Sequence, residues 1–226
     1  LMLIGSLSGF ISHKFINLET GDNYHDVMSA RIQIPELKYA KEAQQVALIE
    51  NIMALLREND NVVGAVSNNW MGQAAIAFEG QEYISEEEQP KVDTLSVIGD
   101  INAVGIRLIA GRELSSRDKK GHRVNVLISQ SMAKRYWPGE SPLEKSFRLS
   151  LGDRNEQVFV VGVVSNRMNP STLFSSLDAA DEIYVSGLQF ISSFQIMMYR
   201  IVPETVNAEE IFYQAMFSAD RTIEMV

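Results

Sequence analysis

Apolar and polar residues alternate from Tyr24 to Ile34. Val27, Ser29, Arg31 and Gln33 fall on one face, and Met28, Ala30, Ile32 and Ile34 on the other. A period of two predicts a half-buried strand, and Pro35 ends it because proline has no amide hydrogen to give to a ladder. From about Tyr39 to Glu58 the period lengthens. Val46, Ile49, Met53 and Leu56 recur at spacings of three and four, while Lys41, Glu42, Gln45 and Glu50 lie largely outside that stripe. This predicts an amphipathic helix laid on a sheet. Asn59-Asp60-Asn61 has turn chemistry, and Val62–Ser67 reads as the next strand, so the first unit is β-α-β.

A second such unit closes the chain. Phe194 to Glu204 has the character of the first strand, and Arg200-Ile-Val-Pro-Glu204 echoes Arg31-Ile-Gln-Ile-Pro-Glu36. A helix is expected from about Asn207 to Ala219, with Ala208, Ile211, Phe212, Ala215 and Met216 as its apolar stripe. Asn207 would cap it, with Glu210 completing a capping-box-like pair. Arg221 to Val226 reads as a final strand. Two β-α-β units about 120 residues apart predict an α+β fold, a split ferredoxin-like lobe that carries a large insertion.

Before the insertion, Asn68 to Glu79 reads as strands and turns, Val92 to Ile98 as a strand, and Gly99 to Val104 as a short helix or turn. The insertion, from about Gly105, is a series of short apolar runs punctuated by Gly and Pro: 103–114, 124–129, 147–149 and 158–164. That pattern describes a compact β-rich module. Ser131–Tyr136 is its brief helix, and Tyr136-Trp137-Pro138-Gly139 caps that helix by burying rings against the sheet, with a ligand platform as the alternative. Arg154-Asn155-Glu156 is expected as the turn between strands at Phe147–Leu151 and Val158–Val164. Met168 to Asp181 is expected as a loop with a short helix before a strand at Ile183–Val185.

Charge and composition narrow the chemistry. A net charge of −9 and a pI near 4.9, without a basic stripe, exclude a nucleic-acid partner. The absence of cysteine removes disulfides, thiolate zinc sites, iron–sulfur clusters and a thiol nucleophile, and leaves the compartment open. About eleven apolar or small residues precede His13 and Lys14, too few to cross a bilayer, which needs roughly 20. They read either as the last turns of a transmembrane helix or as a buried or partner-bound helix.

The three histidines, His13, His25 and His122, have no ligand spacing, and no nucleophile elbow, Walker loop or dinucleotide fingerprint is present. Glu86-Glu87-Glu88 reads as a solvated run. No residue is therefore assigned a catalytic, cofactor-binding or metal-binding role, and no cofactor is expected. A hydrolase built on dispersed carboxylates is the weakest of the readings.

The central motifs nevertheless carry a resemblance. Gly105-Ile-x-Leu-x-x-Gly111-Arg112-x-Leu, then Asp118, Val-x-Val-Leu-Ile-Ser129, Ala133-Lys-Arg-Tyr-Trp-Pro-Gly-Glu140-x-Pro-Leu-x-Lys145 and Val160-Val-Gly-Val-Val164 resemble the periplasmic core domain of MacB-type (MacB/FtsX-type) ABC transporter permeases. Two positions depart from the pattern: Glu144 stands where the family has Gly before Lys145, and Asp181-Glu-Ile-Tyr-Val replaces a more apolar strand ending in Pro.

The resemblance implies two lobes. Residues 20–104 and 187–226 would form a discontinuous porter-like α/β lobe, residues 105–186 an inserted smaller β-rich lobe, and residues 1–19 the end of a transmembrane helix or a juxtamembrane segment. It implies a non-catalytic domain on the periplasmic, extracytoplasmic side of the inner (cytoplasmic) membrane that couples ATP hydrolysis to conformational change and export. The implied partners are a cytoplasmic ATP-binding subunit or domain and a second permease copy in a homodimer or heterodimer, with a periplasmic adaptor or a peptide or lipoprotein cargo beyond them. The alternative is a peptide or small-ligand sensor domain of a permease-like signalling complex.

Overall fold

The computed structural model describes residues 26–167, 180–221 and 224–225. In chain order the elements are β1 (Val27–Gln33), α1 (Glu42–Arg57), β2 (Val62–Ala77), β3 (Lys91–Gly99), β4 (Leu108–Gly111), β5 (Val124–Ser129), α2 (Gln130–Tyr136), β6 (Ser146–Leu151), β7 (Arg154–Val164), β8 (Glu182–Ser186), β9 (Phe194–Ile201), α3 (Ala208–Ala219) and β10 (Glu224–Met225). The fold is mixed α/β, with few helices and a central mixed sheet. The loop expected over Met168 to Asp181 falls almost wholly outside the described residues.

The first and last thirds of the chain interleave. β9 lies between β1 and β2 and runs antiparallel to both, and β10 flanks β1 on its other side. The order β10-β1-β9-β2 is the split β-α-β arrangement that the two sequence repeats predict. α1 and α3 cover one face. Leu48, Ile49, Ile52, Met53 and Leu56 of α1 meet Ala208, Phe212, Ala215 and Met216 of α3 over Ile32, Ile34, Met197 and Tyr199. Burying each large side chain contributes about 2 kcal/mol, and this is what holds helices of modest intrinsic propensity on the sheet.

One expected detail is corrected. Asn207 adopts a left-handed conformation (φ 56°) and its side chain makes no capping bond. α3 is held instead by the Tyr199 hydroxyl, which donates to Ala208 O at 2.9 Å, and by Asp220 at its C-terminal end, which receives Lys38 Nζ at 2.7 Å and the Tyr39 hydroxyl.

β2 is the longest strand and the largest departure from the sequence expectation. It continues for 16 residues through the stretch expected to break into strands and turns. Asn68, Asn69, exposed Trp70 and Gln73 interrupt the apolar alternation, but β3 supplies a ladder from Val66↔Gly99 to Ala75↔Lys91, with a bulge between Trp70 and Gly72. Gly72 takes φ +101° there, a conformation that other residues rarely adopt. At about 3.3 Å per residue the strand spans roughly 50 Å.

The far end of β2 belongs to a closed ring. β2 pairs with β3, β3 with β8, β8 with β5, β5 with β7, β7 with β6, and β6 returns to β2 at Ala75–Ala77. Six strands therefore form a small barrel, two of them contributed from outside residues 105–186. Its inward positions alternate along every strand: Ala74 and Ile76, Val92, Ile183 and Val185, Val126 and Ile128, Val158 and Val160, Phe147 and Leu149. The β6–β7 turn is Gly152-Asp153, since Leu151 pairs with Arg154, and not the expected Arg154-Asn155-Glu156, which is already strand.

α2 starts where the Ser129 hydroxyl accepts from Met132 N at 3.3 Å. Tyr136 and Trp137 then pack into an aromatic cluster with Phe78 and Phe147, the helix-capping role expected of them, with ring centroids 5.0–6.2 Å apart. β4 lies along β7 beyond β6 at a very close approach: a Cβ added to Gly111 would meet Val161 O at 2.2 Å.

Candidate functional site

Between the open sheet and the barrel lies a third core. Leu95, Val97, Leu127, Val161 and Tyr184 face outward from the barrel wall and are covered by Ile101, Val104 and Ile106, with Val27 and Val66 from the open sheet beside them. A 3-10 turn at Ile101–Val104 makes this cover, started by the Asp100 carboxylate accepting from Asn102 N at 2.8 Å. A cleft of about 370 Å³ opens at the same joint. α1 forms one wall through Glu50, Met53 and Arg57, residues 113–116 form the opposite wall, and Leu127, Ser186 and Leu188 lie between them.

The second wall is fixed by one buried carboxylate. Asp118 is 1% exposed and accepts from both terminal nitrogens of Arg112 (2.9 and 3.0 Å), from Ser115 N (2.7 Å), from the Ser115 hydroxyl (3.2 Å) and from Asn125 Nδ2 (2.7 Å). Burial pushes its pKa up, but the hydrogen bonds from Arg112, Asn125 and Ser115 outweigh that and hold it at about 2. The loop from 112 to 125 is thereby tied to β5. Across the joint, Lys120 Nζ meets Glu42 at 2.6 Å and Asn102 Nδ2 donates to Glu113 at 2.7 Å. Gln189 Nε2 donates to the carbonyls of Lys119 (2.9 Å) and His122 (3.2 Å), which locks the loop to the β8–β9 crossover.

These contacts orient and stiffen; Glu42 and Glu113 each make a single one at or near the surface, and the buried Asp118 carboxylate is saturated by its hydrogen bonds and ion pair. The same holds for Glu182, buried under Arg167 (2.9 Å) and the Tyr184 hydroxyl (2.6 Å). Among the described residues no three His, Asp or Glu side chains gather to hold a metal ion, and no helix is long and apolar enough to cross a membrane. His122 is exposed on the 112–125 loop, while His13 and His25 lie outside the described residues. Glu86–Glu88 forms a 3-10 turn with Glu87 and Glu88 exposed, and Glu88 accepts from Ile84 N at 3.2 Å.

Sequence reasoning placed Gly111, Arg112 and Asp118 in one motif but not the ion pair between them. The available signal was a lone Arg and Asp six apart in a loop, too common a pair to single out.

A family model matches almost the whole chain. The profile described as the MacB-like periplasmic core domain matches residues 1–222. Among solved structures, the periplasmic region of MacB from Actinobacillus actinomycetemcomitans is 13% identical with a TM-score of 0.52, over 89% of this chain and 88% of that one. The extracellular domain of the noncanonic ABC-type transporter YknZ from Gram-positive bacteria is 16% identical with a TM-score of 0.51, over 88% of this chain and 99% of that one. These likenesses show the fold. No curated protein matches the chain.

Proposed function

The chain belongs to the MacB-like periplasmic core domain family of ABC transporter permeases, and we propose that it is a non-catalytic domain that relays motion during export. It works on the extracytoplasmic side of the inner membrane, coupled to a cytoplasmic ATP-binding partner and to a second permease copy. Two lobes divide the labour: residues 20–104 with 187–226 as the α/β lobe, and 105–186 as the β-rich lobe, which borrows β2 and β3 to complete its barrel.

The observation that carries this reading is β2. It passes without a break from the split β-α-β sheet into the barrel wall, so a displacement of β1, β9 or β10 is carried about 50 Å to the far end. Two surface contacts, Lys120 to Glu42 and Asn102 to Glu113, span the joint between the two bodies and report where they move against each other.

The 226 residues contain no cysteine, so in the full permease only native cysteines outside them need replacing by serine before a cross-link is engineered. Glu42→Cys with Lys120→Cys in the full permease, bridged by a short bis-thiol-reactive linker, clamps the joint. Export is expected to fall about tenfold while ATP hydrolysis continues, a difference of about 1.4 kcal/mol in coupling. Full cross-linking with unchanged export would sink the proposal.

A further inference from the structure

The β6–β7 hairpin has a second side that the barrel does not use. Phe147 and Leu149 point into the core, so Arg148 and Ser150 of β6 face outward, beside Gln157 and Asn155, their register partners on β7. The chain after β2 rises beside this face and makes it concave. The result is a groove of about 810 Å³, lined by these four residues, by Glu79, Gln81 and Gln89 of the wall, and by Gly152 and Asp153 at the hairpin tip. It lies at the far end of β2 from the edge where β1 begins.

Its chemistry is specific. Arg148 has no hydrogen-bond or ion-pair partner among the described residues, although carboxylates line the same groove. On its other side β6 meets β2, where Arg148 stands opposite Ala77, whose methyl leaves room above the strand. A guanidinium set in this way offers a two-pronged donor fork that matches a carboxylate. One step along the strand, about 7 Å away, Ser150 and Asn155 form the next cross-strand pair. That spacing equals the two-residue repeat of an extended peptide. Carboxamide side chains both donate and accept, so they pair with a peptide group in either direction.

We infer that this groove binds the carboxyl-terminal end of a peptide, its terminal carboxylate on Arg148 and its preceding peptide groups on the Ser150–Asn155 pair. The site sits on the outer wall of the barrel and is independent of the relay through the joint, so failure of either leaves the other standing.

The test is a titration of the isotopically labelled 226-residue chain, followed by amide chemical shifts. Four probes are used: N-acetyl-dialanine as the free acid, the same peptide as its C-terminal amide, inorganic phosphate, and a β-linked N-acetylglucosamine disaccharide. The free acid is expected to shift the amides of residues 148–157. The C-terminal amide should bind about tenfold more weakly, and Arg148→Gln should abolish that difference, while Arg148→Lys keeps part of it because charge survives without the fork. The inference is overturned if acid and amide bind alike, if phosphate or the disaccharide is preferred, if Arg148→Gln changes nothing, or if no probe shifts residues 148–157.

Discussion

The open sheet and the barrel solve the same problem with different means. The open sheet has one flat face to cover, and two helices with regular stripes cover it: α1 and α3 over β1, β9 and the start of β2. The barrel covers itself. Its six strands close on one another and bury alternate residues within, so no helix face is needed beyond the short α2 at one end. Closure leaves little room for error in curvature and register. The barrel therefore depends on single residues: Gly111, where β4 crosses against β7, and Asp118, which gathers the loop that leads into β5. A stripe spreads its contribution over many side chains, whereas a point constraint concentrates it.

That contrast predicts where damage is worst. Gly111→Ala adds a Cβ 2.2 Å from Val161 O at a residue with φ +79°. Left-handed strain and the clash together are expected to cost roughly 4 kcal/mol in urea unfolding. Ile52→Ala removes one member of the α1 stripe and should cost about 3 kcal/mol, with its neighbours partly collapsing into the space. Hydrogen exchange separates the two. Gly111→Ala should weaken protection first in β5 and β7, and Ile52→Ala first in α1 and β9. If both substitutions release the same amides together, the two regions do not differ in the way described.

Asp118 gives the next largest effect and adds a pH dependence. Asp118→Asn keeps the volume but removes the charge that Arg112 and Asn125 bind, at an expected cost of about 2 kcal/mol. The folded carboxyl titrates at about 2, below its ordinary unfolded value near 4. Its contribution to stability is therefore complete above pH 4 and is lost as the pH falls from 4 towards 2. The wild type should lose stability more steeply than Asp118→Asn across that window, in denaturant melts at each pH. Parallel curves would mean that the loop does not depend on this carboxylate.

The same contrast explains what the sequence made legible. The helices were readable because a stripe repeats: Ile49, Met53 and Leu56 each point to the same face, so a few ambiguous neighbours do no harm. The split β-α-β pairing followed from two such units. The barrel was recognisable as short strands with turns, but its closure was not. Closure depends on β6 returning to β2 at Ala75–Ala77, where Ala75 meets Ser150 and Ala77 meets Arg148, residues about 70 apart in the chain, in a strand whose middle is Asn68, Asn69, Trp70 and Gln73. Nothing local marks those polar residues as strand; the ladder to β3 does. Asn207 failed as a cap for a related reason. Its type is favoured at a helix start, but the turn at Glu204–Asn207 places it in the left-handed region, where its side chain cannot reach back. Asp118 was visible only as part of a motif, because its partners Arg112, Ser115 and Asn125 converge through a loop without periodicity.

Glu144 is the mildest point constraint and the one that can be relaxed. It departs from the glycine expected before Lys145, and it adopts φ 62° while its amide donates to Val160 O at 2.8 Å. The loop keeps a left-handed residue there because β7 requires that hydrogen bond, whatever side chain occupies the site. A non-glycine residue in this region costs about 1–2 kcal/mol, offset in part by the smaller chain entropy it has to lose. Glu144→Gly relieves the strain and gives up the exposed pair with Arg123 at 3.2 Å, which contributes only about 0–0.5 kcal/mol. The net expectation is a gain of about 0.5–1 kcal/mol, or about 2 °C in thermal midpoint. Glu144→Ala loses the ion pair without relieving the strain and should melt no higher than wild type. If Glu144→Ala rises as far as Glu144→Gly, the gain comes from removing a negative charge, and the backbone at this turn is not the constraint that separates the barrel from the open sheet.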